Sequence, residues 1–233
     1  MKSRNKALVT ILALLASSTS ALAADLVIVE PPFEPAEEEE AYDWTGLYLG
    51  LQAGFGFARL QQTSGPAFLL DQDYIDLSGP FVGIHGGYNL QIGRLVLGVE
   101  GDINAASIGG DFIWGPPGPG RLEFPGSARL DWFGSLRGRL GFGLDRTLLF
   151  GTAGVAAAGV GIDLSPIPIS DYATYVGWTA GLGLEHAFNE DWLGRLEYRY
   201  YDFGTQALFG GLMPERDFAA TMHTVSLGIT RKF

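Results

Sequence analysis

Hydrophobic side chains alternate with small or polar ones along most of the chain after residue 44. In the segment from Leu47 to Phe57, LYLGLQAGFGF, every second residue is Leu, Ala or Phe, and the residues between them are mostly Gly. A period of two predicts a β-strand with two different faces. In a soluble sheet, polar side chains normally cover the face opposite the core, whereas Gly covers nothing. The pattern therefore indicates an apolar face that meets lipid and a glycine face that lines a narrow interior.

The same alternation predicts eight strands. They span residues 47–57, 80–90, 94–105, 128–142, 148–162, 174–188, 192–203 and 221–233. In the fifth segment Leu148, Phe150, Val160 and Ile162 share one phase against mostly Gly and Ala, but the pattern leaves open which face they occupy. It also leaves open a short helix over residues 155–158.

The connections between these segments alternate in length. Long stretches at 60–79, 107–127, 163–173 and 204–219 alternate with short ones at 91–93, 143–147 and 189–191. Long loops at one end and tight turns at the other are typical of outer-membrane barrels. The predicted fold is all-β: an eight-stranded antiparallel up-and-down transmembrane β-barrel with short periplasmic turns and longer external loops.

Aromatic residues favour the same arrangement, because they lie near the two ends of the predicted strands. Trp132, Trp178, Tyr198 and Tyr200 lie toward the long loops, and Phe142, Phe188, Trp192 and Phe233 lie toward the tight turns. Two aromatic belts around an apolar band are what a bilayer interface selects.

Charged residues within the strands fall on the phase that faces the interior. This predicted lumen charge cluster comprises Glu100, Asp102, Asp131, Arg137, Arg139, Glu185, Arg195, Glu197 and Arg199. An eight-stranded barrel has just enough interior for side chains. The cluster therefore predicts an ion-pair plug that rigidifies the barrel, and the alternative is a small porin-like channel with a charged lumen.

The first 23 residues have the three parts of a secretory signal peptide: a basic start, an apolar run and a small-residue end, with cleavage expected after Ala23. Residues 24–43 are acidic and rich in Pro, which predicts an extended periplasmic tail, and residues 44–233 are predicted to form the barrel.

Cleavage removes three of the 15 cations and none of the 26 acids, so the formal charge changes from −11 to −14. This charge argues against nucleic-acid binding. The absence of Cys excludes a disulfide framework and thiolate metal sites.

The sequence offers weak candidates for catalysis. His223 and Ser226 are three apart in one strand, a spacing that points them to opposite faces. His85 is predicted to face inward near Glu100 and Asp102, where an interior His is more often a hydrogen-bonded core group than a base. A surface lipid hydrolase is the rival interpretation. The three His residues show no metal-ligand spacing, so we predict no enzyme activity, cofactor or metal.

Several segments resemble one family. DWTGLYLGLQAGFGF, WFGSLRGRLGF, GWTAGLGLEHAF and TVSLGITRKF are similar to segments of the alphaproteobacterial Omp25/Omp31/RopB group, whose members form OmpA-like eight-stranded barrels. The resemblance implies export to the cell outer membrane, envelope-structural and surface-antigen roles and no enzyme activity. The implied partners of a monomeric barrel are outer membrane lipid, lipopolysaccharide and the barrel assembly machinery.

Two further expectations come from this resemblance. Val225, Leu227, Ile229 and the terminal Phe233 match the C-terminal assembly signal of such barrels, with Arg231 where an aromatic residue is usual. A mature N-terminus that begins Ala24-Asp25 is of the kind that this group can join to peptidoglycan, which would make residues 24–43 a tether.

Overall fold

The computed structural model describes residues 42–64, 73–115, 122–165, 169–208 and 216–233. The predicted signal peptide and most of the predicted tail, including Ala24 and Asp25, lie outside these residues. The eight strands are β1 (Gly46–Gln62), β2 (Tyr74–Ile92), β3 (Leu95–Trp114), β4 (Phe124–Leu144), β5 (Thr147–Leu164), β6 (Ile169–Ala187), β7 (Trp192–Leu208) and β8 (Arg216–Lys232).

The strands form one closed barrel in sequence order, and every neighbouring pair is antiparallel. β1 pairs with β8 from Tyr48 opposite Lys232 to Gln62 opposite Phe218, which closes the ring. The predicted barrel is therefore confirmed. β5 is a strand throughout, so residues 155–158 form no helix. No helix among the described residues is long and apolar enough to cross a membrane.

The outward face is apolar in the lower part of the barrel, which is the part nearer the tight turns. On β1 this face runs from Leu47 to Phe57, and Leu47, Leu51 and Phe57 are each more than half exposed. Ten steps of about 3.3 Å at a strand tilt of about 40° give a band about 25 Å tall, the height of a lipid-facing band. The eight aromatic residues predicted for the two belts all lie on the outward phase of this band.

Above this band the polarity of the two faces is inverted. Arg59 and Asp76 point outward and pair with each other, while Leu60 and Ile75 on the same two strands are buried inside. The same exchange occurs on β4, where Leu130 is buried and Arg129 is exposed. Water therefore surrounds this upper part, whose apolar side chains fill the interior as in a soluble barrel.

This inversion corrects the predicted loop lengths. The sequence predicts a long loop wherever the outward apolar pattern stops, at 60–79, 107–127, 163–173 and 204–219. In the structure the strands continue past these points. The connections between them are therefore shorter, at 63–73, 115–123, 165–168 and 209–215. The tight turns are 93–94, 145–146 and 188–191. The alternation of long and short connections is confirmed.

The inward glycines provide space for large side chains from neighbouring strands. A methyl group on Gly54 would lie 2.7 Å from the ring of Phe81, which is itself packed edge-on against Phe133 at 5.0 Å. A methyl group on Gly50 would lie 2.5 Å from His85 Nε2. Glycine at these inward positions therefore matches a lumen that is filled by the side chains opposite it.

Candidate functional site: the charged lumen

Three layers of side chains fill the barrel along its axis. An apolar layer near the tight turns, which we call the periplasmic layer, consists of Tyr42, Trp44, Val96, Leu148, Phe150, Ala187 and Leu193. A much larger apolar core fills the upper half; it begins within the lipid-facing band, at Phe81 and Phe133, and continues above it. Between them lies the charged layer, whose members are Glu100, Asp102, Arg137, Arg139, Glu185, Arg195, Glu197 and Arg199. The charged layer holds four guanidinium groups and four carboxylates, so its formal charge is zero.

Glu100 on β3 is the centre of this layer. Arg195 donates to both of its carboxylate oxygens, at 2.5 and 2.8 Å. Arg137 donates to it from β4, and the Tyr48 hydroxyl donates to it from β1 at 2.8 Å. Its side chain is fully buried. One carboxylate on β3 therefore holds groups from three other strands at the middle of the barrel.

Glu197 and Asp102 extend the layer to both sides of Glu100. Glu197 accepts hydrogen bonds from Arg137 at 2.6 Å and from Arg195 at 3.0 Å. Asp102 accepts one from Arg199 at 2.8 Å and lies 3.4 Å from Arg137. Each of these arginines therefore contacts at least one carboxylate from another strand, and their removal from water is compensated by pairing and hydrogen bonding.

The remaining pair joins the charged layer to the periplasmic layer. Arg139 donates to Glu185, and its guanidinium lies 4.0 Å from the centre of the Phe150 ring. The Arg195 guanidinium lies 4.9 Å from the same ring. A cation over an aromatic face is an attractive contact that is stronger where water is excluded. Phe150 therefore packs directly beneath the charged layer with no polar boundary between them.

Asp131 is the one predicted member that the structure places elsewhere. A β-bulge between Leu130 and Trp132 adds a residue to β4 and exchanges its two faces. Above the bulge Leu130 points inward, and Asp131 is on the outer surface, 3.3 Å from Arg129. The period-two pattern of residues 128–142 also predicts Arg129 inward and Leu130 outward, and both assignments are wrong for the same reason.

The fifth strand, whose phase the sequence left open, contributes its even-numbered residues to the interior. Leu148 and Phe150 are buried in the periplasmic layer, and Val160 and Ile162 are buried in the upper core. The outward positions are Leu149, Val155 and small residues such as Gly151 and Ala153. Most of the larger apolar side chains of β5 thus fill the lumen at both of its apolar layers.

The residues before β1 close the end of the barrel where the tight turns lie. The backbone N–H of Trp44 donates to Gln91 Oε1 at 2.7 Å, and the Tyr42 hydroxyl donates to the carbonyl of Glu190 at 2.8 Å. Burial raises the pKa of the Tyr42 phenol to about 12, with the charge of Glu190 adding to the effect, so the hydroxyl stays protonated. The ammonium of Lys232 lies 4.4 Å from the centre of the Tyr42 ring. We call Tyr42–Trp44 the N-terminal clamp.

Sequence reasoning missed several polar partners of the charged layer. Tyr48 and Ser135 donate hydrogen bonds to its carboxylates, and Gln52 Nε2 donates to Asn104 Oδ1 at 2.6 Å. All of them occupy the inward phase, so the phase could have identified them. The N-terminal clamp had no such signal, because Tyr42 and Trp44 precede the first strand.

The candidate catalytic residues are not assembled into a site. His223 is exposed on the outer surface, where its Nδ1 lies 2.7 Å from the Tyr198 hydroxyl, whereas Ser226 is buried in the lumen. His85 is buried, and its Nε2 lies 2.8 Å from the Thr230 hydroxyl. Within the described residues no group of three or more His, Asp or Glu side chains is placed to hold a metal ion.

The segment that matches the assembly signal forms the outward face of β8. Val225, Leu227 and Ile229 are about half exposed or more, and Phe233 is exposed at the rim. Arg231 continues this face, and its guanidinium lies 5.3 Å from the ring centre of Phe233. The face is available to a partner in the membrane, and its recognition by the assembly machinery stays a prediction.

Comparison with known proteins agrees with this architecture. A family model described as outer membrane protein beta-barrel domain matches residues 9–233. The 31 kDa outer-membrane immunogenic protein of Brucella melitensis is 33% identical over 230 residues, which cover 93% of this chain and 95% of the relative. The 25 kDa outer-membrane immunogenic protein of Brucella abortus is 33% identical over 83% of this chain and 82% of the relative.

Among solved structures, the outer membrane protein OprG from Pseudomonas aeruginosa superimposes with a TM-score of 0.52. Its sequence is 17% identical, and the match covers 81% of this chain and 96% of OprG. At this identity the likeness concerns the fold alone.

Replacing Glu100 by Gln is expected to destabilise the barrel strongly. The change keeps the shape of the side chain but leaves Arg137 and Arg195 beside a neutral amide, and breaking a buried ion pair typically costs about 3–5 kcal/mol. The free energy of unfolding, measured by urea titration of protein refolded in lipid vesicles, checks this.

The matched control for Glu100→Gln is Arg129→Gln, which breaks an exposed ion pair on the outer surface. Exposed pairs contribute about 1 kcal/mol or less. A loss for Glu100→Gln no larger than that for Arg129→Gln would contradict the central role of Glu100.

Proposed function

The chain belongs to the outer membrane protein β-barrel family, and we propose that it serves as a sealed structural barrel of the cell envelope, exposed at the cell surface. The observation that carries this proposal is the charge-balanced layer between two apolar layers in the lumen. The proposal assigns no catalytic role to the chain, and neither Brucella relative is named as an enzyme.

The alternative function is a small porin-like channel with a charged lumen. Ion-conducting pores hold charged side chains around an aqueous path, and their ions must bind weakly enough to leave. Here Arg137, Arg195 and Glu197 are at most 4% exposed, and both arginines contact Glu197 directly. The periplasmic layer and the upper core fill the barrel on either side of them. This packing favours a plug over an ion path.

Planar-bilayer recording separates the two functions. The purified, refolded mature chain is expected to give no discrete conductance steps, because an ion would have to displace packed apolar side chains from two layers and paired charges from the third. A general porin added to the same bilayer serves as the positive control. Reproducible single-channel steps from the pure protein would overturn the sealed barrel and favour the channel.

The surface exposure in this proposal is supported by the polar upper part of the barrel. Both Brucella relatives are named as immunogenic outer-membrane proteins, and an antigen that is recognised on intact cells must be reachable from outside. Because short turns face the periplasm in barrels of this class, the strand ends that carry Ser127 and Asp163 would face the exterior.

A single introduced cysteine can test this orientation, because the chain contains none. We expect Ser127→Cys to react with a membrane-impermeant maleimide on intact cells. Arg94→Cys, in the tight turn after β2, should react only after the outer membrane is permeabilised. Both positions are exposed on the barrel. Labelling of Arg94→Cys alone on intact cells would invert the orientation.

The proposal includes attachment to peptidoglycan through Ala24-Asp25. The support is the sequence of the predicted mature terminus together with the N-terminal clamp, which fixes the chain at the barrel mouth. Mass spectrometry of muramidase-digested cell walls is expected to find an N-terminal peptide linked to a muropeptide. The linked peptide should vanish in Asp25→Ala and persist in Glu30→Ala, and its absence from the unaltered protein would refute the attachment.

A further inference from the structure

The outer wall of β8, β1 and β2 carries a cavity at the top of the lipid-facing band. Its volume is about 270 Å³, and its lining consists of Phe57, Ala58, Arg59, Asp76, Thr221 and His223. Ala58 points into the barrel, so the other five side chains form the walls. We call this feature the lateral cavity. It lies at the level where the outward face changes from apolar to polar, and therefore where lipid tails give way to headgroups.

The lower wall of the lateral cavity is aromatic. Phe57 is 55% exposed and lies 5.2 Å from Phe55, ring centre to ring centre. His223 lies directly opposite Phe57 on β8, and its ring is 5.0 Å from that of Tyr200. Aromatic rings present an apolar surface with a weakly negative face. This wall therefore offers a platform for the C–H face of a flat ligand.

The upper wall is polar, and its charges balance. Arg59 Nε and Nη2 donate to the two oxygens of Asp76 at 2.7 and 3.2 Å, and the guanidinium is held over the ring of Tyr74 at 4.1 Å. Two bonds leave further N–H donors on Arg59 and further lone pairs on Asp76. The hydroxyl of Thr221 comes from β8, directly opposite Arg59. Fixed donors and acceptors therefore lie side by side with no net charge.

These two walls match the chemistry of a sugar ring, which has apolar C–H faces and a rim of neutral hydroxyl groups. An anion would gain little here, because the carboxylate of Asp76 already neutralises Arg59. Ligand sites typically combine apolar walls with a few placed polar groups, and this volume is close to the lower end of their range. The lateral cavity has room for one ring, with the rest of a larger ligand outside.

The position of the cavity selects the source of that sugar. Its aromatic wall belongs to the belt that contacts lipid, whereas its polar wall lies in water just above. A glycolipid has the same order, with acyl chains below its sugars. We infer that the lateral cavity binds one sugar ring of an outer-leaflet glycolipid and holds that lipid against the barrel wall.

The test uses the full mature chain, refolded in nanodiscs that contain phospholipid and a monohexosyl diacylglycerol, which is a glycolipid with one uncharged sugar ring. Native mass spectrometry after release into mild detergent is expected to show the protein with one retained glycolipid. Phe57→Leu, which keeps an apolar side chain but removes the ring, should lower the retained fraction about fivefold through loss of one aromatic contact. Arg59→Gln should lower it to a similar extent.

Arg129→Gln is the matched control, since Arg129 also forms an outward Arg–Asp pair in the upper part of the barrel but lies outside the cavity. It should leave retention unchanged. Heat-dependent gel mobility checks that each variant folds, and Thr221→Val replaces any variant that does not. Equal retention by the cavity variants and Arg129→Gln would overturn the site. So would saturable binding of the free methyl hexoside by protein in phospholipid nanodiscs, because the ligand would then be a soluble saccharide.

Discussion

Backbone hydrogen bonding within lipid is the constraint on which the rest of this structure depends. No water reaches the acyl region to satisfy N–H and C=O groups, so a membrane-spanning sheet must close on itself. The pairing of β1 with β8 achieves this closure. Closure with eight strands then fixes the width of the lumen, which accommodates side chains and little else. The inward glycines and the buried charged layer are both consequences of that width.

The charged layer shows how such a lumen can be filled when polar side chains face inward. A buried charge is tolerated where it is paired and hydrogen-bonded. Glu100 meets this requirement with donors from β1, β4 and β7. Arg137 lies on the neighbouring strand β4, whereas the contacts from Tyr48 and Arg195 run across the lumen and connect β3 with β1 and β7, with which it does not pair. The same side chains that make the interior polar therefore also brace the barrel across its width.

The sequence predicted the membrane-spanning part of this barrel well. There one face of each strand meets lipid and the other meets the lumen along the whole segment, so the period of two shows directly which residues lie on which face. The phases of Leu47–Phe57 and of β6 to β8 follow from this rule.

The upper strand ends could not be predicted in the same way. Their outward faces meet water, so polar side chains point outward and apolar ones point inward. In a Pro- and Gly-rich stretch this reversed pattern resembles a loop. The bulge beside Asp131 shifts the phase by one residue, which only the paired strand reveals. The clamp residue Trp44 depends on contacts with distant turns and has no local pattern.

The N-terminal clamp determines where the preceding polypeptide leaves the barrel. Tyr42 and Trp44 are buried among the tight turns and the last strand, so the described residues enter β1 from the mouth of the lumen. A mechanical load on the preceding segment would act on two aromatic anchors before it reached the hydrogen bonds of β1. The pairing of β1 with β2 and β8 would be loaded only after those two anchors gave way.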